Sequence, residues 1–288
     1  MDSNACRSAF LGFAFLSFFS AAASANIISL QRDYNQYGHL SNEGDSCACT
    51  SAVNSMLYLM NTHPGVADTL ITDVDGNAVI TDVDLHFARD ELRDGWTNSS
   101  GVARTGMGAP AGRKDIWEQQ IYWTEDMAPT VRFIFSGMTG FAVDDPSTWY
   151  RGGSLVKGMP TFDYMWEQLA AGEDVELGIY GATIAHAIVL TSLKFDDLDA
   201  DSMWDSASEM GWVDYLDPNN PSQLFERQMW ANGDGSLGFN WFNNGANTPE
   251  DVYIGRAYSK SIPEPETYAL FALGLLALVY TRRRRLLS

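Results

Sequence analysis

Each end of the chain carries an apolar run flanked by basic residues, and together the two runs fix which residues remain to build a fold. At the front, Arg7 precedes an apolar stretch from Ala9 to Phe19, and small residues follow, ending in Ala23-Ser24-Ala25. A charged start, a short apolar centre and a small-residue cleavage site make a secretory signal peptide, with a cut expected after Ala25. The run is too short for a first transmembrane helix. At the back, Ile262-Pro263-Glu264-Pro265-Glu266-Thr267 leads into the apolar stretch Tyr268–Tyr280 and then Arg282-Arg283-Arg284-Arg285. That stretch rises only about 20 Å as a helix, against a hydrocarbon core of roughly 30 Å. The arginines hold such an end on the cytoplasmic side.

The order Pro-Glu-Pro, apolar span, arginine cluster resembles the PEP-CTERM sorting signal of Gram-negative bacteria. The resemblance implies that a membrane enzyme, exosortase, processes the tail. Signal peptidase would remove the front, and the tail would anchor the chain briefly in the inner membrane before it reaches the cell surface or the extracellular polymer. The expected organisation is a signal peptide at 1–25, one folded domain at 26–258 and the sorting signal at 259–288, with its short transmembrane span.

Charge limits the partners. The whole chain has 18 basic and 37 acidic residues, a net charge of −19. Without Asp2, Arg7, Glu266 and the four tail arginines, 13 basic and 35 acidic residues remain, a net −22. A field of that sign repels phosphate backbones and anionic lipid, so no nucleic-acid partner is expected. The 45% apolar content is enough for a substantial core and argues against disorder. Only Cys47 and Cys49 remain after the signal peptide, too few for a disulfide scaffold.

Periodicity outlines the elements. Val53, Met56, Leu57 and Met60 repeat at helical spacing, as do Phe162, Met165, Trp166 and Leu169, with Gly172 as a helix stop. Val175, Leu177 and Ile179 alternate, as do His186, Ile188 and Leu190, and Gly211–Asp217 is a further strand candidate. Helices in the first half and strands in the second point to an α+β fold. The echo of Ile71–Asp75 in Ile80–Asp84, with Asp75-Gly76-Asn77 between the copies, predicts a β-hairpin. The alternative, a calcium loop, lacks the Glu at position twelve.

The chemistry centres on Asp45-Ser46-Cys47-Ala48-Cys49-Thr50-Ser51-Ala52-Val53-Asn54, where Asp45 or Ser46 can cap a helix. A cysteine in a first helical turn sits at the positive end of the helix dipole, where the thiolate is favoured. Extending the apolar stripe backwards from Val53 reaches Cys49, and Cys47 lies about 200° away from it. Cys47 is therefore the candidate nucleophile and Cys49 a core filler. Of the four histidines, His186 lies on an apolar strand after the small-residue loop Gly181-Ala182-Thr183 and is the candidate base. Two other readings of the thiols are a metal site of Cys47, Cys49 and His186, for which the spacing is poor, and a Cys47–Cys49 disulfide.

Cys47, Ser51, Ala52 and Asn54 resemble the helix start of papain-like cysteine peptidases, closest to the bacteriocin-processing and immunoglobulin-degrading branches. Trp166–Gly172, Val175–Ile179 and Ala185-His186-Ala187-Ile188 resemble that family's helix, strand and His-bearing strand. The resemblance implies a papain-like α+β fold, a helical lobe bearing the Cys packed on an antiparallel β lobe bearing the His. It also implies peptide-bond hydrolysis with no cofactor and no metal, on a polypeptide substrate that the acidic surface would favour as basic or apolar. A third residue would orient the imidazole: Asp217, just before Pro218, with Asp214 as the fallback. An oxyanion hole would use the Cys47 backbone N–H and an upstream amide, Asn42 or Gln36, since Ser41 stands where the family commonly has Gln. The alternative is an inactive relative serving as a surface or extracellular-matrix binding protein.

Overall fold

Strands dominate because the second half of the chain alternates apolar and polar residues well past residue 217. In the computed structural model, the described residues are 26–44, 46–63, 70–107, 120, 122–123, 126, 138–142, 154–242 and 249–260. Their elements are β1 (Asn26–Gln31), α1 (Cys47–Thr62), α2 (Asp82–Asp94), β2 (Gly95–Thr97), β3 (Ala103–Thr105), β4 (Met138–Ala142) and β5 (Ser154–Lys157). α3 (Phe162–Ala171), β6 (Val175–Tyr180), β7 (Ala185–Asp197), β8 (Gly211–Leu216), β9 (Leu224–Ala231), β10 (Leu237–Trp241) and β11 (Glu250–Lys260) follow.

Strands β6 to β11 each pair antiparallel with the next, and β11 returns to pair with β6, Ile254 opposite Ile179. The ring is a closed six-stranded barrel, which leaves no free edge among these strands. Leu177, Ile179, Ile188, Leu190, Val213, Tyr215, Phe239 and Ile254 share one buried apolar cluster. The intervening Val189 and Leu216 point the other way, into a second cluster with Cys49, Val53, Met56 and Leu59 of α1. Burying each such aliphatic side chain contributes about 1.5–3 kcal/mol, so helix α1 is held flat against the outside of β7. β1 lengthens the sheet beside the second half of β7, and β4 joins the end of β11.

This architecture corrects the expected papain-like α+β fold: the described residues are mostly β, built on a closed barrel, and do not divide into a helical lobe and a β lobe. The helix at Phe162–Ala171 does form, with Gly172 in the left-handed conformation (φ 91°) that stops it. What the motifs around Cys47 and His186 could not convey is the ring closure through β9, β10 and β11. A local motif specifies chemistry at a site and leaves global strand order open.

The expected hairpin at residues 71–84 is also absent. Residues 70–81 are turns and bends, and the second copy of the echo becomes the start of α2. Thr81 and Asp84 make a reciprocal capping box, with Asp84 accepting the Thr81 N–H at 2.8 Å. In the first copy, the Asp73 carboxylate accepts the N–H groups of Gly76, Asn77 and Ala78. Short acidic side chains that bond nearby backbone compete with a strand ladder, and here they prevail.

At its far end β11 is fastened deep in the protein. Lys260 is buried, its N–H donates to Asp174 Oδ1 at 2.8 Å, and its ammonium sits between Asp174 and Glu176. Glu176 also accepts from Gln120 at 3.1 Å. Burial outweighs the neighbouring ammonium and pushes the Glu176 carboxyl up to about 7.

Candidate active site

Three residue types distant in sequence meet where the start of α1 crosses β7. Cys47 is the first residue of α1, and Ser46 precedes it as N-cap, whereas Asp45 lies outside the described residues. The Ser46 hydroxyl makes no cap bond; it donates to Asn42 Oδ1 at 2.8 Å and lies 2.8 Å from the Glu43 carbonyl. One turn on, Ser51 Oγ donates to the carbonyl of Ala187 at 2.9 Å. Ala187 follows His186, so this bond registers the cysteine end of α1 against the histidine on β7.

The Cys47 thiol and the His186 ring lie close enough to shift one another's protonation. Burial acts to raise the thiol, yet His186 and the N–H groups of Ala187 and Ala48 bring it below its ordinary value. For His186, burial acts to lower the imidazole, but Asp217 and Cys47 prevail and push it up to about 9. Both shifts favour a thiolate beside an imidazolium. Cys49 behaves in the opposite way: fully buried in the α1 cluster, its thiol is pushed up to about 12. Both thiols are free, so no bond joins Cys47 to Cys49.

His186 Nε2 lies 2.8 Å from Asp217 Oδ1, at the end of β8. The same oxygen accepts the Asn219 N–H at 2.8 Å, and Oδ2 accepts the Trp241 indole N–H at 2.8 Å. The Trp241 ring packs against His186 with 5.2 Å between centroids. Asp214 instead pairs with Lys194 at 2.8 Å and does not face His186. Neither Trp241 nor Asn219 carried a sequence signal for this role; Trp241 reads only as the last apolar residue of an alternating strand.

Asn42, the expected side-chain oxyanion donor, donates Nδ2 to Asn219 Oδ1 at 3.1 Å. Gln36 lies in a short 3-10 turn, and its amide reaches Asp33. The remaining histidines are elsewhere: His39 contacts the Pro221 carbonyl at 2.9 Å and His63 the Gly172 carbonyl at 3.1 Å, while His86 lies on α2. Among the described residues, the side-chain groups able to surround a cation are Asp73, Asp75 and Asp84, and Asp197, Asp199 and Glu209, each with ligand atoms within 4.8 Å of one another. Cys47, Cys49 and His186 form no such group.

The address of the molecule lies just past the buried Lys260. Residues 261–285 match the PEP-CTERM protein-sorting motif. The motif points to an exported, cell-surface protein and is associated with processing by exosortase. No curated protein matches the chain. Among the described residues no helix is long and apolar enough to cross a membrane; the PEP-CTERM segment and the signal-peptide region lie outside them.

Proposed function

We propose that the protein is a surface-sorted cysteine peptidase that hydrolyses peptide bonds through Cys47, His186 and Asp217. The observation that carries this reading is the 2.8 Å bond from His186 Nε2 to Asp217 Oδ1, beside which the Cys47 thiol and the His186 ring shift one another's protonation. In the proposed reaction the Cys47 thiolate adds to a peptide carbonyl, and the Cys47 backbone N–H stabilises the oxyanion that forms. His186 gives its proton to the leaving amine, which departs and leaves a thioester on Cys47. His186 then takes a proton from water, the resulting hydroxide adds to the thioester, and collapse frees the carboxylic acid and the thiolate. Asp217 keeps the imidazole oriented and offsets its charge throughout. Exposure of the barrel at the cell surface gives such an activity extracellular polypeptides as substrates.

A second reading, a non-catalytic surface or matrix protein, is favoured by one observation: the Asn42 amide is engaged with Asn219. Hydrolysis of unfolded, fluorescently quenched polypeptides separates the two. The peptidase reading expects turnover by the wild type and its loss in both Cys47→Ala and His186→Ala. Equal rates in all three overturn it.

A further inference from the structure

Asn42 sits in a segment gripped from several directions. Gly38 passes so close to α1 that an added Cβ would lie 2.6 Å from Asn54 Oδ1. Asn54 then binds both backbone groups of Leu40, at 2.9 and 3.1 Å. The buried Arg89 of α2 donates to the Ser41 carbonyl at 3.4 Å and pairs with Glu43 at 2.9 Å. The segment is thereby bound to the two helices, and Asn42, with His39 on the Pro221 carbonyl, links it to the loop after β8.

Three hydrogen bonds leave Asn42. Its N–H donates to the Pro218 carbonyl at 2.6 Å. Its Nδ2 donates to Asn219 Oδ1 at 3.1 Å, and its Oδ1 accepts from Ser46 Oγ at 2.8 Å. Ser46 is the neighbour of Cys47; Pro218 and Asn219 directly follow Asp217. Asn219 Nδ2 in turn lies 3.4 Å from His186 Nε2, and its backbone N–H holds Asp217 Oδ1. Bonds therefore run from Cys47 through Ser46 and Asn42 to Asn219, which meets His186 by packing against Nε2 and by holding Asp217 Oδ1, the acceptor of the ring.

We propose that Asn42 and Asn219 are a pair of positioning residues that set the distance between the Cys47 thiol and the His186 ring. This rests on the reading of Cys47 and His186 as nucleophile and base. It gives Asn42 a role other than donating to an oxyanion. The physical reason is that the thiol and the imidazole sit on different elements, and a thiolate–imidazolium pair persists only while the two charges stay in contact. Ser51 fixes the helix along β7; the two amides fix its tip across the loop after β8.

The test is the rate of Cys47 alkylation by iodoacetamide as a function of pH, with the modified residue mapped by mass spectrometry. The wild type should show an inflection below that of a free thiol, ordinarily near 8.5. Asn42→Ala and Asn219→Ala should each move the inflection upward by about one unit, slowing alkylation about tenfold at pH 6. The double variant should shift no further than the larger single one, since both changes break one link. Asn219→Asp, which keeps an acceptor for Asn42 Nδ2, should keep the low inflection. Circular dichroism and urea midpoints establish that each variant is folded, and a variant that is not folded is replaced by Asn42→Ser or Asn219→Ser. A wild-type inflection in folded single variants overturns the proposal. If the wild type itself titrates like His186→Ala, the nucleophile–base reading falls, and this proposal with it.

Discussion

His186 Nε2 and Asp217 Oδ1 are 2.8 Å apart, and the carboxylate that holds the ring is itself held by the Trp241 indole and the Asn219 amide. All of these groups are buried or nearly so, and a charge-assisted bond in such surroundings has little water to compete with. Removing the carboxylate should therefore be felt at the ring. In Asp217→Ala the imidazole, raised to about 9 in the native protein, should titrate well below that value in proton NMR. Asp214→Ala should leave the His186 titration where it is, because Asp214 faces Lys194. Equal shifts in both variants would contradict this assignment.

A raised imidazole also links stability to pH. The folded state holds the His186 proton more tightly than the unfolded chain, whose histidine titrates near 6.5. The resulting stabilisation is complete below about pH 6.5 and disappears as pH rises through about 9. Urea unfolding of the wild type should weaken across that window more steeply than unfolding of His186→Gln. Glu176 loses its proton at lower pH, about 7, in both proteins, and so cancels from the comparison. Parallel curves for the two proteins would show that His186 is not bound to its neighbours in this way.

Ser51 tests the seating of α1. Its hydroxyl is buried and satisfies the Ala187 carbonyl. Ser51→Ala leaves that acceptor without its partner, which costs about 1–3 kcal/mol. The loss should appear in urea denaturation and be accompanied by slower Cys47 alkylation at pH 6. Thr81→Ala, at the capping box of α2, should cost about 1 kcal/mol and leave Cys47 alkylation unchanged. Equal effects of the two changes on the thiol would mean that Ser51 acts only on overall stability.

Much of this was legible in the residues, for identifiable reasons. Helix phase separates Cys47 from Cys49, and the structure has one thiol at the tip of α1 and the other at zero exposure in the core. The alternation at Val175–Ile179 and His186–Leu190 appears as the β6–β7 pair. The barrel was hidden because closure is a long-range property: β11 pairs with both β6 and β10, and no local pattern encodes which strands meet. The hairpin expectation failed at Asp73 and Asp84, whose carboxylates bind nearby N–H groups and fold the segment into turns. Asn219 and Trp241 were invisible since their roles come from long-range contacts with Asp217, His186 and Asn42.

The proposed hydrolysis depends on activation of one thiol, Cys47, by His186. Covalent labelling by a thiol-directed peptidyl inhibitor at pH 6 tests it most directly, with the wild type, Cys47→Ala, Cys49→Ala and His186→Ala compared side by side. Stoichiometric labelling is expected of the wild type and of folded Cys49→Ala, none of Cys47→Ala and strongly slowed labelling of His186→Ala. Equal labelling of the wild type and Cys47→Ala, or a rate indifferent to His186, would contradict it.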